Sequence, residues 1–354
     1  MFGKMMNNFY YGKSGKGDFR KEDLPKNRLQ LFFAMLKVRF TGLMTLNLMS
    51  VALYIPLALV IGYAVLSVIT SLSVKATCDE LLMAAGFDFS QAMDAATLEA
   101  ARETLLSAGK TASEASIALD FTSAVQSVIM VTLLLLIPCV GITGPVQVGM
   151  AYVTRNWARD EHAFVWQDFK DAVKSNWKQS LPISLITGAV PVVVYIAWQY
   201  YGNLMAQSAL FIVPQAIVTM AAVVWFLALT YMYPITVGYE ATFGQIVKNA
   251  MMIAIARLPH TVLARLITLI PTVIAVLVSL YTPYAIYAMM ALGAYYLLIG
   301  NSFARFLYAS FGNAAFDKLI NVHIEGAQVN RGMSEEEDWD DEDEDETGSN
   351  GENA

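Results

Sequence analysis

Few side chains in this chain could do chemistry, and their spacing decides which chemistry is open to them. His162, His260 and His323 lie far apart, and none has a second metal-ligating residue at helical spacing. The sequence has no H-E-x-x-H pair, no G-x-x-x-x-G-K-[ST] loop to cradle phosphates and no G-x-S-x-G nucleophile elbow. His162 follows Asp160 and Glu161 and reads as a solvated loop residue. Cys78 and Cys139 are too few for a disulfide framework, and Cys139 sits inside an apolar run. No catalytic residue, metal site or cofactor is therefore expected, the chain reads as no enzyme, and nucleic acid is not an expected partner.

Ionisable residues within apolar spans usually mark proton or ion coupling. Here Glu240 and Arg265 come near span ends, and no other Asp, Glu, Lys, Arg or His falls within a span. This argues against a proton-driven transporter. Asn47, Gln147 and Asn301 also lie near span ends, where interhelical hydrogen bonding is their simplest role.

The elements that must carry these residues are membrane helices. Of 354 residues 56% are hydrophobic and 15% charged, against roughly 25% charged in soluble domains. Glu335 to Glu346 holds 11 acids in 12 positions, and removing them from the net charge of −7 leaves the rest of the chain at +4. A bilayer core needs about 20 apolar helical residues to cross. Charge-free runs at Phe40–Val74, Phe121–Thr154, Gln179–Tyr239 and Leu266–Ala304 supply that length, and the last two are long enough for hairpins. Turns at Tyr201-Gly202-Asn203 and Tyr281-Thr282-Pro283-Tyr284 divide them. Six spans result, about 46–69, 123–142, 181–199, 209–234, 262–281 and 284–304. The fold class is an all-α polytopic membrane protein. Alternation puts 20 of the 23 Lys and Arg residues on one side. The positive-inside rule makes that side cytoplasmic, with both termini there and the chain in the cell membrane.

The remaining features attach to this frame. Residues 1–28 read as a basic cytoplasmic segment, with no apolar core for a signal peptide. Residues 29–319 form the membrane domain. Its one external element, 75–120, reads as a small helical loop, with Ser113–Ser116 as a cap for the following helix. Residues 320–354 read as an acidic, disordered cytoplasmic tail.

The stretch from Ile137 to Trp177 organises the domain. It carries a Gly/Pro break at Gly144 and Pro145, then Gly149, and span four ends on an equivalent pair, Pro234 and Gly238. Pro145 and Pro234 should kink or end their helices near the cytoplasmic face, and the glycines should admit a close neighbour. Three segments before the odd spans share an apolar helical face. They are anchored by Phe33 and Phe40, by Trp166, Phe169 and Trp177, and by Phe243. Each has an adjacent lysine, as interfacial helices do. In-plane helix, odd span and even span would then form a threefold parallel repeat. Asp171, Lys174 and Lys178 lie on the open side of the second such helix, where a cytoplasmic partner could dock.

Gly144-Pro145, Tyr152, Arg155, Arg159-Asp160-Glu161, Trp166-x-x-Phe169 and Lys174-x-Asn176 resemble the YesL family of bacterial integral membrane proteins, a domain of unknown function. The resemblance extends over roughly Leu29 to Leu319 and leaves the outer loop and the acidic tail aside. It implies an accessory role in carbohydrate uptake and carries no catalytic or binding residues. Two functions follow for a protein whose first partner is the lipid bilayer. One is a non-enzymatic accessory or assembly factor for a sugar ABC transporter, contacting its permease subunits. The other is a small-molecule facilitator in its own right. Oligomeric state is not legible.

Overall fold

The computed structural model describes residues 25–87 and 93–333. Most of the basic segment (1–24) and the acidic run (335–346) thus lie outside the described residues. Among those described there is no strand. Six helical segments are long and apolar enough to cross a membrane: Arg28–Ala84, Phe121–Trp157, Val165–Leu204, Ala209–Gly238, Leu258–Tyr281 and Ala285–His323. The chain is an all-α polytopic membrane protein.

The first span is built from α1 (Arg28–Val51) and α2 (Ile55–Ala84), joined by a 3₁₀ turn at Ala52–Tyr54. Pro56 follows at the start of α2. Its missing N–H withdraws an α-helical bond there, which fits the tighter turn. The loop beyond Ala84 folds into α3 (Ala95–Ser107) and α4 (Ala112–Leu119). These close a small core on the end of α2 through Cys78, Leu82, Ala101, Leu105, Ala115 and Ala118. Asp94 caps α3, and Thr111 with Glu114 forms a reciprocal capping box on α4. Ser113–Ser116 therefore lies inside α4 and caps nothing after it. The cap of α5 (Phe121–Trp157) is Asp120, which accepts from the Ser123 amide at 3.1 Å.

Long helices follow. The 37 residues of α5 and the 40 of α6 (Val165–Leu204) extend about 55 and 60 Å at 1.5 Å per residue. Hydrocarbon is about 30 Å thick, so each projects well beyond it. α7 (Ile212–Gly238) returns, then comes short α8 (Phe243–Ala256), then α9 (Leu258–Tyr281). α10 (Ala285–Tyr295) passes through a π turn at Tyr296–Gly300 into α11 (Asn301–Leu319).

Two expectations are corrected here. Of the three segments expected as separate in-plane helices, only the third is a helix of its own, namely α8. The first is the opening of α1 and the second the opening of α6, each continuous with its span. No glycine or proline separates Val165 from Leu181, so nothing stops the helix from running straight through. The three expected units consequently differ in their element boundaries. For the prolines, of the expected kink or stop, the stop is excluded. α5 continues through Pro138 and Pro145, and α7 runs four residues past Pro234.

Burial is concentrated at one end, where α1 begins and α5, α7 and α11 finish. We call it the basic end. There Val148, Ile183, Tyr231, Met232, Ile246 and Phe316 form one cluster, and Leu31, Leu43, Met150, Trp157 and Phe306 an adjoining one. In contrast α10 has no buried residue, and the most apolar window of the first span has none either. In hydrocarbon an apolar helix gains nothing by hiding from lipid. The two clusters mark the end where the helices converge on one another.

Candidate functional site

The α5–α6 seam is closely packed. A Cβ on Gly144 would strike the Ser184 hydroxyl and lie 2.5 Å from the Ser180 carbonyl oxygen. One on Gly149 would lie 2.6 Å from the Phe169 ring and 2.8 Å from a Val173 methyl. Gly238, the last residue of α7, sits 3.0 Å from the Arg155 guanidinium by the same measure. Pro145 lies between the two seam glycines on α5, and Pro234 is buried in α7. The five Gly/Pro positions thus do not form one break. Gly144 and Gly149 seat α6, while Gly238 seats Arg155.

Phe169 and Val173 hold the first half of α6 down. Around these two the helix is open: Trp166, 64% exposed, and Trp177, 47%, flank them on the same stripe, and Lys170, Asp171, Lys174 and Lys178 are exposed as well. Asp171 accepts from Gln167 at 3.3 Å, and the Lys178 ammonium lies 6.0 Å over the Trp177 ring. On α1, Phe33 and Phe40 are 64% and 48% exposed. Phe243 is half-buried and packs against the main core. The six expected anchors therefore divide. Four face outward, while Phe169 and Phe243 are part of the protein's own packing.

A buried arginine–tyrosine cluster was not foreseen. Arg265 on α9 donates through Nε to Thr230 at 2.9 Å and through Nη1 to the Tyr308 hydroxyl at 3.2 Å. Its Cζ lies 4.6 Å from the Tyr308 ring centroid. Arg305 on α11 lies 4.9 Å from the Tyr233 ring and 5.6 Å from that of Tyr308. Tyr233 shares a 2.9 Å hydrogen bond with Ser184, and Gln147 donates to the Tyr54 hydroxyl at 2.6 Å. No ion pair to either arginine occurs among the described residues. Aromatic faces take the carboxylate's place, an exchange favoured where water is excluded. Arg265 had been placed at a span edge and Arg305 just past one. The usable signal was Tyr233 inside an apolar run and Tyr308 three positions after Arg305, one helical turn away.

Two clefts open at the basic end and share Gly238 and Tyr239. One, about 610 Å³, is lined by Asn176, Gln179, Tyr239, Glu240, Thr242 and Gln245. Glu240 is exposed at its rim. The other, about 410 Å³, is lined by Arg155, Arg159, Tyr239, Asn321, Gln328 and Arg331. Residues 320–333, expected as the start of a loose tail, form its wall. Asn330 donates its amide to Asp317 at 3.1 Å, Arg28 pairs with Asp317, and Arg159 donates to the Gln328 carbonyl at 3.1 Å. Burial raises the Tyr239 phenol above its usual range. It therefore stays protonated and donates to Asn321 at 2.7 Å.

His162, His260 and His323 are exposed and far from one another in the fold's element order, with the His162 ring edge-on to Phe164 at 4.5 Å. Among the described residues no group of three His, Cys, Asp or Glu side chains comes together as metal ligands do. Asn47 and Gln147 both make interhelical hydrogen bonds, and Asn301 meets Asn47 through its backbone amide.

These features define a six-span helical membrane protein with a packed end that carries cationic and aromatic surface. Residues 123–198, which cover α5 from its third residue and most of α6, match the family described as "Protein of unknown function, DUF624". The matched segment contains the α5–α6 seam with Gly144, Gly149 and Phe169, and it also contains Arg155 and Arg159. No curated protein and no solved structure matches the chain.

Proposed function

We propose that this chain is a non-enzymatic accessory protein of the cell membrane, YesL-like, with its basic end in the cytoplasm. We infer that it docks the permease subunit of a sugar ABC transporter there. One observation carries the docking reading: the first half of α6 is clamped by Phe169 and Val173 onto Gly149, yet turns two tryptophans and four charged side chains outward. A connector needs no exposed tryptophan, and Trp with charged neighbours suits either an interfacial seat or a partner's surface. Sugar uptake enters only through the resemblance of the Gly144–Asn176 stretch to YesL proteins.

The test replaces Asp171, Lys174 and Lys178 together by alanine in the full chain. The apolar clamp is untouched, so the protein should fold and melt as before. Recovery of the neighbouring permease subunit by co-purification should fall severalfold. A stable triple variant that recovers the permease undiminished removes the docking reading. The polar interior of Arg265, Arg305, Tyr233 and Tyr308 would then favour the facilitator reading, in which those groups line a path.

A further inference from the structure

We propose that the cavity between the end of α5 and residues 321–331 is a binding site for a phosphate group, presented by a small soluble molecule or by an anionic lipid headgroup. The charge balance is the starting point. Arg155, Arg159 and Arg331 line the cavity. Glu161 pairs with Arg331 and lies 3.6 Å from Arg159. Asp317 is taken by Arg28, and Asp160, exposed beside Gly332, makes no ion pair among the described residues. Glu325 belongs to the same loop but is exposed and does not line the cavity. Among the described residues, then, Glu161 alone pairs with cations of this cavity, with two of its three guanidinium groups.

Among the described residues Arg155 is the one of the three that pairs with no carboxylate. The last turn of α5 delivers it, and Asn313 donates to its carbonyl oxygen at 3.3 Å. Its guanidinium is wedged between Gly238 and the Tyr239 ring, 5.9 Å from the ring centroid. Its Nε is fully buried and has no hydrogen-bond acceptor. A buried charged donor without an acceptor is costly. Arg155 lines the cavity, a group bringing several anionic oxygens there would offset its charge, and guanidinium matches phosphate in two-point geometry. The wall opposite is held in place by the bond from Arg159 to Gln328 and by the Asn330–Asp317 contact. The site is thus built before any ligand arrives. At about 410 Å³ it falls within the usual size of small-ligand pockets, roughly 300–1,000 Å³. Its residues are separate from the exposed row of α6, so this inference does not rest on the docking reading.

The acidic run begins at Glu335, four positions after Arg331, and its carboxylates could compete for the same cations. The test therefore uses the full chain and, in parallel, a full chain with Glu335, Glu336 and Glu337 replaced by glutamine. Both are placed in nanodiscs of phosphatidylcholine alone, and melting is followed as inorganic phosphate is added at constant ionic strength set with chloride. A saturable rise in melting temperature in either chain is expected. Arg155→Gln should weaken the phosphate response about tenfold or more, as loss of a charge-assisted contact does. The rim variant Arg331→Gln should weaken it too, and Lys174→Gln should leave it unchanged. A second arm replaces part of the phosphatidylcholine with phosphatidylglycerol. Stabilisation only in those discs, abolished by Arg155→Gln or Arg331→Gln, assigns the site to a lipid headgroup. If neither phosphate nor phosphatidylglycerol stabilises either chain, or if both arginine variants respond as the parent does, the proposal is wrong.

Discussion

Replacing Asn47 with leucine should destabilise this protein more than any other substitution of one polar residue on α1. Asn47 is buried on α1 and reaches the π turn that links α10 to α11. Its amide donates to the carbonyls of Tyr296 at 2.9 Å and Leu297 at 2.8 Å. Its oxygen accepts from the amides of Asn301 and Ser302, both at 3.0 Å. A π turn misaligns the backbone ladder, and one side chain here contacts four of the groups involved. Interhelical hydrogen bonds in membranes average about 0.6 kcal/mol each, so four contribute about 2.4 kcal/mol. Backbone groups left buried and unpaired add to that, and the expected loss is about 2–4 kcal/mol. For a chain of this size the melting temperature should fall by about 3–5 °C. The assay is thermal denaturation of the purified full chain in detergent, read by the surviving monodisperse fraction. Ser302→Ala is the control, because its hydroxyl bonds only to Ile299 within its own helix region. If Asn47→Leu melts within about 1 °C of the parent, the π turn does not depend on α1 and the energetic reasoning fails.

Two further outcomes follow from the seam and the cap. Gly144→Ala should lower folded yield, since its Cβ would meet a backbone carbonyl that cannot rotate away, and overpacking of this kind costs about 1–3 kcal/mol. Gly62→Ala, with nothing within 4 Å, should be neutral or slightly stabilising; equal yields for the two would undo the close-approach argument. For orientation, Ser107→Cys on the exposed cap should react with an impermeant maleimide on intact cells, whereas buried Cys78 should react only after unfolding. Lys318→Cys, exposed at the basic end, should stay unlabelled, and its labelling in intact cells would reverse the proposed topology.

The spans were legible because hydrocarbon excludes charge, and a charge-free run of the right length has few other readings. What was not legible had a physical reason in each case. Trp166, Phe169, Val173 and Trp177 recur at helical spacing, but spacing gives a face and not the direction of an axis. An in-plane helix and the projecting start of α6 produce the same pattern. α8 differs only because Thr242 and Gln245 build a capping box that starts a new helix. Arg265 and Arg305 escaped because charge in a membrane is sought beside an opposite charge, and their partners are the rings of Tyr233 and Tyr308. Residues 320–333 have the composition of a tail. Their placement depends on Asp317, Arg28 and Arg159, three residues on three different helices or loops, and composition cannot report such contacts. The same long-range contacts that hid this segment from the sequence close the arginine-lined cavity. The candidate site is therefore a product of the fold: Arg155 from α5, Tyr239 from the end of α7 and Arg331 from beyond α11 become one site only when all three helices finish at the same end.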